Sequence, residues 1–325
     1  MRYLKVITFI LGLMLMSPVH AKSTESFTGE VENKFKQTIT RIMRINKEVK
    51  NNPKNLLLDE IYRRRDIYTR YGKSLYRYLE IRNNYKPTLD VSGRYKLYLQ
   101  KYLLSCEIAA LRIIVEAVSG KFLTEEIIIS EIPHFREAYK DGVWGDPEME
   151  FVGSYTGSQA KRTGYGIYGM PLSRFLDRKG YDNEYRNTLM SSGATGEDEL
   201  EYALDSLEKG NHILFWADWC TTPEFDDGIV DKIDMYIVRH FGISSRNECE
   251  RTASQRAFSW KTPTNEIVNA ISGEHAFLLL GYVGKKENPS HIIVWDTDTG
   301  KHYYPILEWM RKWSLLDYRM LVVKK

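Results

Sequence analysis

Four residues in this 325-residue sequence have types and spacing suited to nucleophilic chemistry: Gln100, Cys106, His275 and Asp296. Cys106, one of only three cysteines, lies in QKYLLSCEIAALRIIVEAVSG, residues 100–120. Ala109, Ala110, Ile113 and Ala117 follow it at helical spacing, which places Cys106 at the start of a helix with one buried stripe. A cysteine there meets the positive end of the helix dipole, which favours thiolate over thiol. Gln100, six residues upstream, can offer its amide as a neutral donor to the same place. An ionisable thiol beside a neutral donor is the beginning of an acyl-transfer site. The alternative for this stretch alone is a small buried hydrophobe on a core helix.

The other two residues fall at the edges of predicted strands. Residues 274–284 (EHAFLLLGYVG) read as a strand that opens with His275. Residues 290–297 (SHIIVWDT) read as the next strand, with Asp296 at its end. The step from His275 to Asp296 fits a hairpin between neighbouring strands. Taken singly, such an aspartate is commonly a turn residue and such a histidine a structural one. All four in this order, each at an element boundary, form a pattern that single-residue explanations do not produce.

The elements that must position them follow from periodicity. Residues 1–21 carry Arg2 and Lys5, an apolar run, Pro18 and a small-residue Val19-His20-Ala21 end, the form of a secretory signal. Cleavage after Ala21 is expected to place the mature chain outside the cytoplasm, secreted or periplasmic, with no stable membrane insertion afterwards; an uncleaved N-terminal anchor is the alternative. Residues 22–87 read as a helical extension, a hairpin broken at Asn51-Asn52-Pro53-Lys54-Asn55. Residues 88–325 form the main domain. Within it, Thr124 is the expected cap of a short helix, and residues 142–168 form a long Gly-rich aromatic loop. Helices are expected over 171–179 and 197–209, ended by Gly180 and Gly210. A buried strand is expected over 212–219, and a polar irregular stretch over about 220–259. A short helix over 306–313 and a strand over 320–323 complete the chain. Helices first and strands later predict an α+β fold with an antiparallel sheet.

Composition narrows the classes. The chain is 43% hydrophobic and 13% aromatic, as expected of a folded globular protein. Its 46 basic and 43 acidic residues nearly balance, which argues against a nucleic-acid partner. The long loop lacks the lysine and hydroxyl pair of a phosphate-binding loop. His134, His212, His240, His291 and His302 show no metal-ligand spacing, so neither a metal nor another cofactor is expected.

The order Gln, Cys, His, Asp is that of papain-like peptidases, and residues 100 to about 313 resemble the family-39 cysteine peptidases. That family includes the domain that removes double-glycine leaders from bacteriocins; the likeness is to its stand-alone secreted bacterial relatives. It rests on Ser105-Cys106-Glu107 with small residues after it. It rests also on Gly145-Asp146-Pro147, Phe151-Val152-Gly153 and Gly164-Tyr165-Gly166-Ile167-Tyr168 in the loop. Glu274-His275-Ala276 with Gly281-Tyr282, and Asp296 followed by Thr299-Gly300-Lys301, complete it. Two departures are Ser105 in place of glycine before the cysteine and Thr297 in place of proline after the aspartate. The helical extension lies outside the resemblance, and about 223–254 looks like an insertion.

The resemblance implies a papain-like fold: a helix carrying Cys106 packed on an antiparallel sheet carrying His275 and Asp296. It implies a thiol hydrolase acting on peptides or proteins without metal. Cys106 would be the nucleophile, His275 the general base, Asp296 the orienting acid and Gln100 a donor of the oxyanion hole. A peptidoglycan amidase, a transglutaminase-like acyl transferase and a non-catalytic papain-like binding module remain alternatives. With Cys106 reserved for catalysis in an oxidising compartment, Cys220 and Cys249 are expected to pair.

Overall fold

The computed structural model describes residues 86–190, 193–220, 252–298 and 300–325. The expected signal segment and helical hairpin, and most of the expected insertion, lie outside the described residues. The elements in chain order are β1 (Leu89–Asp90), α1 (Cys106–Ser119), α2 (Glu125–Glu131), β2 (His134–Phe135), β3 (Phe151–Gly153) and β4 (Gly164–Gly166). Next come α3 (Gly169–Arg178), β5 (Asn183–Arg186), α4 (Gly196–Glu208) and β6 (His212–Asp218). Beyond the undescribed segment follow α5 (Ala253–Arg256), β7 (Ala257–Lys261), β8 (Ile267–Ile271), β9 (Glu274–Lys285), β10 (Asn288–Asp296), β11 (Gly300–Pro305), α6 (Ile306–Ser314) and β12 (Met320–Val323).

The central sheet runs β11-β10-β9-β6-β12-β5, with β1 added alongside β9, and every pairing in it is antiparallel. The fold is therefore α+β, as the order of helical and strand periods predicts. Its middle strands are apolar without alternation because both faces are covered. All seven residues of β6 are buried, and so are the first ten of β9. Helix α1 packs on β9 and β6 from one side. On α6, Trp309 and Trp313 are fully buried and stack edge-on or tilted against Phe215 of β6. A fully buried side chain of this kind contributes roughly 1.5–3 kcal/mol relative to an exposed one.

Helix α1 is more deeply embedded than its expected stripe implies. Ile108, Leu111, Ile114 and Val115 are buried along with the expected Ala109, Ala110 and Ile113, while Ala117 of the expected stripe is only partly buried. Its end is set by Gly120, at φ 68°, whose N–H returns to the Glu116 carbonyl, a left-handed closure that glycine adopts without a Cβ penalty. Thr124 caps α2 by accepting from the Ile127 N–H, as expected. Thr195 and Asp198 form a reciprocal capping box at α4.

Several expected boundaries shift. Helix α3 begins at Gly169, two residues ahead of Pro171, since proline is well tolerated in a first turn. The long loop is not wholly irregular: β2, β3 and β4 form a small sheet within it. The stretch expected to stay irregular to Ser259 carries α5 and the start of β7, which pairs with β8 and seats the buried Trp260. Gly300–Pro305, read from sequence as turn and connection, forms the edge strand β11.

Candidate functional site

Three of the four sequence-predicted residues come from three elements that meet at one end of the sheet, and Gln100 lies on the loop ahead of α1. Cys106 is the first residue of α1, and Ser105 before it is fully buried. The Ser105 hydroxyl donates to Glu125 Oε2 at 2.5 Å and accepts from the Tyr102 N–H at 3.2 Å. The serine thus ties the turn before α1 to the first turn of α2. His275 is the second residue of β9, and Asp296 the last of β10. The hairpin register sets Asp296 opposite Phe277, which lies on the same face as His275 by the two-residue alternation of a strand.

That register brings the imidazole and carboxylate together. His275 Nε2 lies 2.7 Å from Asp296 Oδ1, and both side chains are buried. The same Oδ1 accepts the Asp298 N–H at 2.7 Å, which fixes the carboxylate. Burial disfavours the imidazolium, but the charge of Asp296 and its hydrogen bond outweigh it, with Asp298 and Glu107 adding. His275 is held above the ordinary imidazole range. With Nε2 occupied, Nδ1 is the nitrogen left for proton transfer.

Thr297, the expected proline position, joins the aspartate's strand end to the cysteine's loop. Its hydroxyl contacts Gln100 Oε1 at 2.8 Å and the Cys106 carbonyl at 3.5 Å, and its own carbonyl accepts from the Gln100 N–H at 2.6 Å. Gln100 therefore stands between the two segments. Its amide donates to the Tyr102 and Leu103 carbonyls at 2.9 and 3.0 Å. In this geometry the amide braces the loop that leads into α1.

Cys106 is a free thiol, 4% exposed. Its hydrogen-bond partner is Glu107 Oε2 at 3.2 Å, rather than His275. Burial, the charges of Glu107 and Glu274, and the hydrogen bond to Glu107 push the thiol well up, against a small opposing effect of the Ala276 N–H. The expectation that the helix dipole favours the thiolate of Cys106 is not met in this state. The helix terminus is present, but burial and two neighbouring buried carboxylates oppose it.

Sequence reasoning missed those carboxylates. Glu107 Oε1 accepts the Ile167 N–H at 2.9 Å, which links the cysteine to the end of the Gly-rich loop. Glu274 accepts from Gln159 Nε2 at 3.1 Å, and Gln159 also bonds the Tyr165 carbonyl and the Gly273 N–H. The Cys106 sulfur and a carboxylate oxygen from each of Glu107 and Glu274 lie within 4.8 Å of one another. The signal was in plain view as an acid adjacent to the cysteine and another adjacent to the histidine. Their burial, which gives them their effect, is a tertiary property.

Of the remaining cysteines, Cys220 is disulfide-bonded, and Cys249 lies outside the described residues. Lys312, itself buried, donates to the Trp219 and Cys220 carbonyls at 3.1 and 2.8 Å, and Arg256 pairs with buried Asp218 at 2.5 Å. These contacts fasten both ends of the segment between β6 and α5 to the domain. Among the described residues, no helix is long and apolar enough to cross a membrane.

No protein-family model and no curated protein matches the sequence. A search of solved structures finds a crystal structure described as a candidate C39-like peptidase from Bacillus anthracis. It superposes with a TM-score of 0.52 at 15% sequence identity, over 73% of this chain and 98% of that one. The chain shares its fold with that C39-like protein. Identity at this level speaks to the arrangement of helices and antiparallel strands. What the site does is argued from the residues that occupy it.

Proposed function

We propose that this protein is an exported cysteine peptidase of papain-like design that hydrolyses peptide bonds through Cys106, His275 and Asp296. The observation that carries the reading is the buried pair at 2.7 Å between Asp296 of β10 and His275 of β9, the strand against which the helix headed by the free thiol of Cys106 is packed. A structural histidine has no need of a buried carboxylate on one nitrogen. A general base does, because the carboxylate fixes the tautomer and stabilises the imidazolium that forms.

In this reading the Cys106 thiol turns from Glu107 toward His275. Nδ1 takes the proton, and Sγ attacks the peptide carbonyl to form a tetrahedral oxyanion. The Cys106 N–H, at the first position of a helix and so outside its hydrogen-bond ladder, is one donor to that oxygen. Gln100 is the second once its amide releases the Tyr102 or Leu103 carbonyl. The imidazolium then protonates the leaving amine, and water, deprotonated by His275, releases the acyl group from sulfur. The substrate class is a peptide or protein.

The test is digestion of a peptide mixture by the secreted mature chain, followed by mass spectrometry of the products. Cleavage by the wild type that disappears in both Cys106→Ala and His275→Ala is the expected result. Cleavage that persists in Cys106→Ala, or none by any form, would remove the peptidase reading. N-terminal sequencing of the same preparation tests export, with Lys22 expected as the first residue.

A further inference from the structure

We infer that Glu107 is a positioning residue that docks the Cys106 thiol in a resting orientation and restrains its ionisation until the thiol is released toward His275. The inference rests on the reading of Cys106 as the nucleophile. It starts from geometry. Glu107 is fully buried and uses its two oxygens on different partners. Oε2 receives the thiol hydrogen at 3.2 Å, and Oε1 receives the Ile167 N–H at 2.9 Å. One carboxyl group thereby joins the reactive sulfur to the loop that closes over it.

That loop approaches so closely because residue 166 is glycine. A Cβ there would lie 2.5 Å from Glu107 Oε1 and 2.9 Å from Glu274 Oε2. The second acid, Glu274, is 4% exposed, and its Oε1 has no hydrogen-bond partner among the described residues. Two neighbouring carboxyl groups out of water cannot both carry charge cheaply. Burial raises both, and for Glu274, where the charge of Glu107 adds to burial, the rise is large.

The groups facing this cluster come from every side. Cys106 and Glu107 are on α1. Glu274 and His275 are on β9, with Asp296 and Asp298 acting on His275 from β10 and the turn after it. Arg319, just ahead of β12, favours charge on Glu274, while the Ile167 N–H and Gln159 amide support the carboxylates. Tyr165, buried in β4, feels the charge of Glu274 as well. Within this set the Cys106 sulfur has a carboxylate as its immediate neighbour, so a thiolate formed in place would face a like charge. Turning the thiol away relieves that repulsion, and a substrate or loop movement that withdraws the Ile167 N–H would loosen the dock.

The experiment measures the rate of iodoacetamide modification of Cys106 against pH, by mass spectrometry, in the mature wild type, Glu107→Gln and Glu274→Gln. Glutamine at 107 keeps an acceptor for the Ile167 N–H but offers the sulfur an NH2 in place of a carboxylate oxygen. The midpoint is expected to fall by about one pH unit or more in Glu107→Gln, about tenfold in thiolate at pH values below both midpoints, and by less in Glu274→Gln. An unchanged midpoint in Glu107→Gln overturns the inference. A raised midpoint overturns it too, and would identify Glu107 as the acceptor of the thiol proton. If Glu107→Gln fails to fold by circular dichroism, Glu107→Ala takes its place: a lowered midpoint supports the restraint, and an unchanged or raised one removes it. Alkylation reads the thiol whether or not peptides are cleaved, so the dock and the peptidase reading can fail separately.

Discussion

Replacing Gly166 with alanine tests whether the Gly-rich loop is held against the candidate site by the contacts described. Residue 166 has φ 136°, a conformation that L side chains rarely adopt, and its place in β4 is fixed by pairing with Val152. Strain of this kind costs on the order of 1–3 kcal/mol. The new methyl group would also meet Glu107 Oε1 at 2.5 Å and Glu274 Oε2 at 2.9 Å. Ends of flexible side chains ordinarily move aside at little cost, but these two are pinned. Moving Glu107 loosens its bonds to Cys106 and the Ile167 N–H, and moving Glu274 loosens its bond to Gln159. Overpacking of a filled interior adds roughly 1–3 kcal/mol. A combined loss of about 3 kcal/mol follows, or about 6–12 °C in melting temperature for a domain of this size. Guanidinium denaturation of the two forms, followed by tryptophan fluorescence, measures it. A loss below about 1 kcal/mol would refute the close packing of loop and carboxylates.

Other outcomes follow from the same contacts. Asp296→Asn removes the charge that holds His275 up while leaving an oxygen to accept its N–H. Because the folded-state value is raised, the stabilisation is complete below the unfolded value near 6.5 and is lost as pH rises through the folded one. The stability gap between wild type and Asp296→Asn should therefore be wider at pH 5.5 than at pH 9, by chemical denaturation; a gap that widens with pH would contradict it. Gln100→Ala should lower kcat by roughly 10²-fold with KM little changed, and a loss confined to KM or to stability would leave Gln100 only its loop-bracing bonds. Peptide mapping without reduction should recover Cys220 linked to Cys249, and a disulfide that includes Cys106 would contradict the free thiol.

How far the sequence carries is seen in single residues. Cys106 falls at a helix start because small and apolar residues follow it at three- and four-residue steps. His275 and Asp296 fall at strand ends because each borders an unbroken apolar run. Those are local patterns, and the α+β class follows from their order. Trp260 and its strand were missed because Ala257–Lys261 is a half-exposed edge element with one buried side chain, a weak alternation. The orientation of the Gln100 amide was out of reach, since it depends on carbonyls at Tyr102 and Leu103 and on Thr297, nearly two hundred residues away in sequence. Glu107 enters the sequence reading only as the neighbour of Cys106 in Ser105-Cys106-Glu107. Its effect on Cys106 comes from the absence of water around both, which only the packing of α1 on β9 under the Gly-rich loop creates.

The central claim is that Cys106 becomes acylated by substrate with His275 as its base. Intact-mass analysis of protein acid-quenched during turnover of an activated peptide ester tests it most directly. The wild type should carry one acyl group on Cys106, located by peptide mapping, and it should disappear as the ester is exhausted. His275→Ala should acylate far more slowly, and Cys106→Ala should carry none. An acyl group found on another residue, retained in Cys106→Ala, or formed equally fast in His275→Ala would contradict the account.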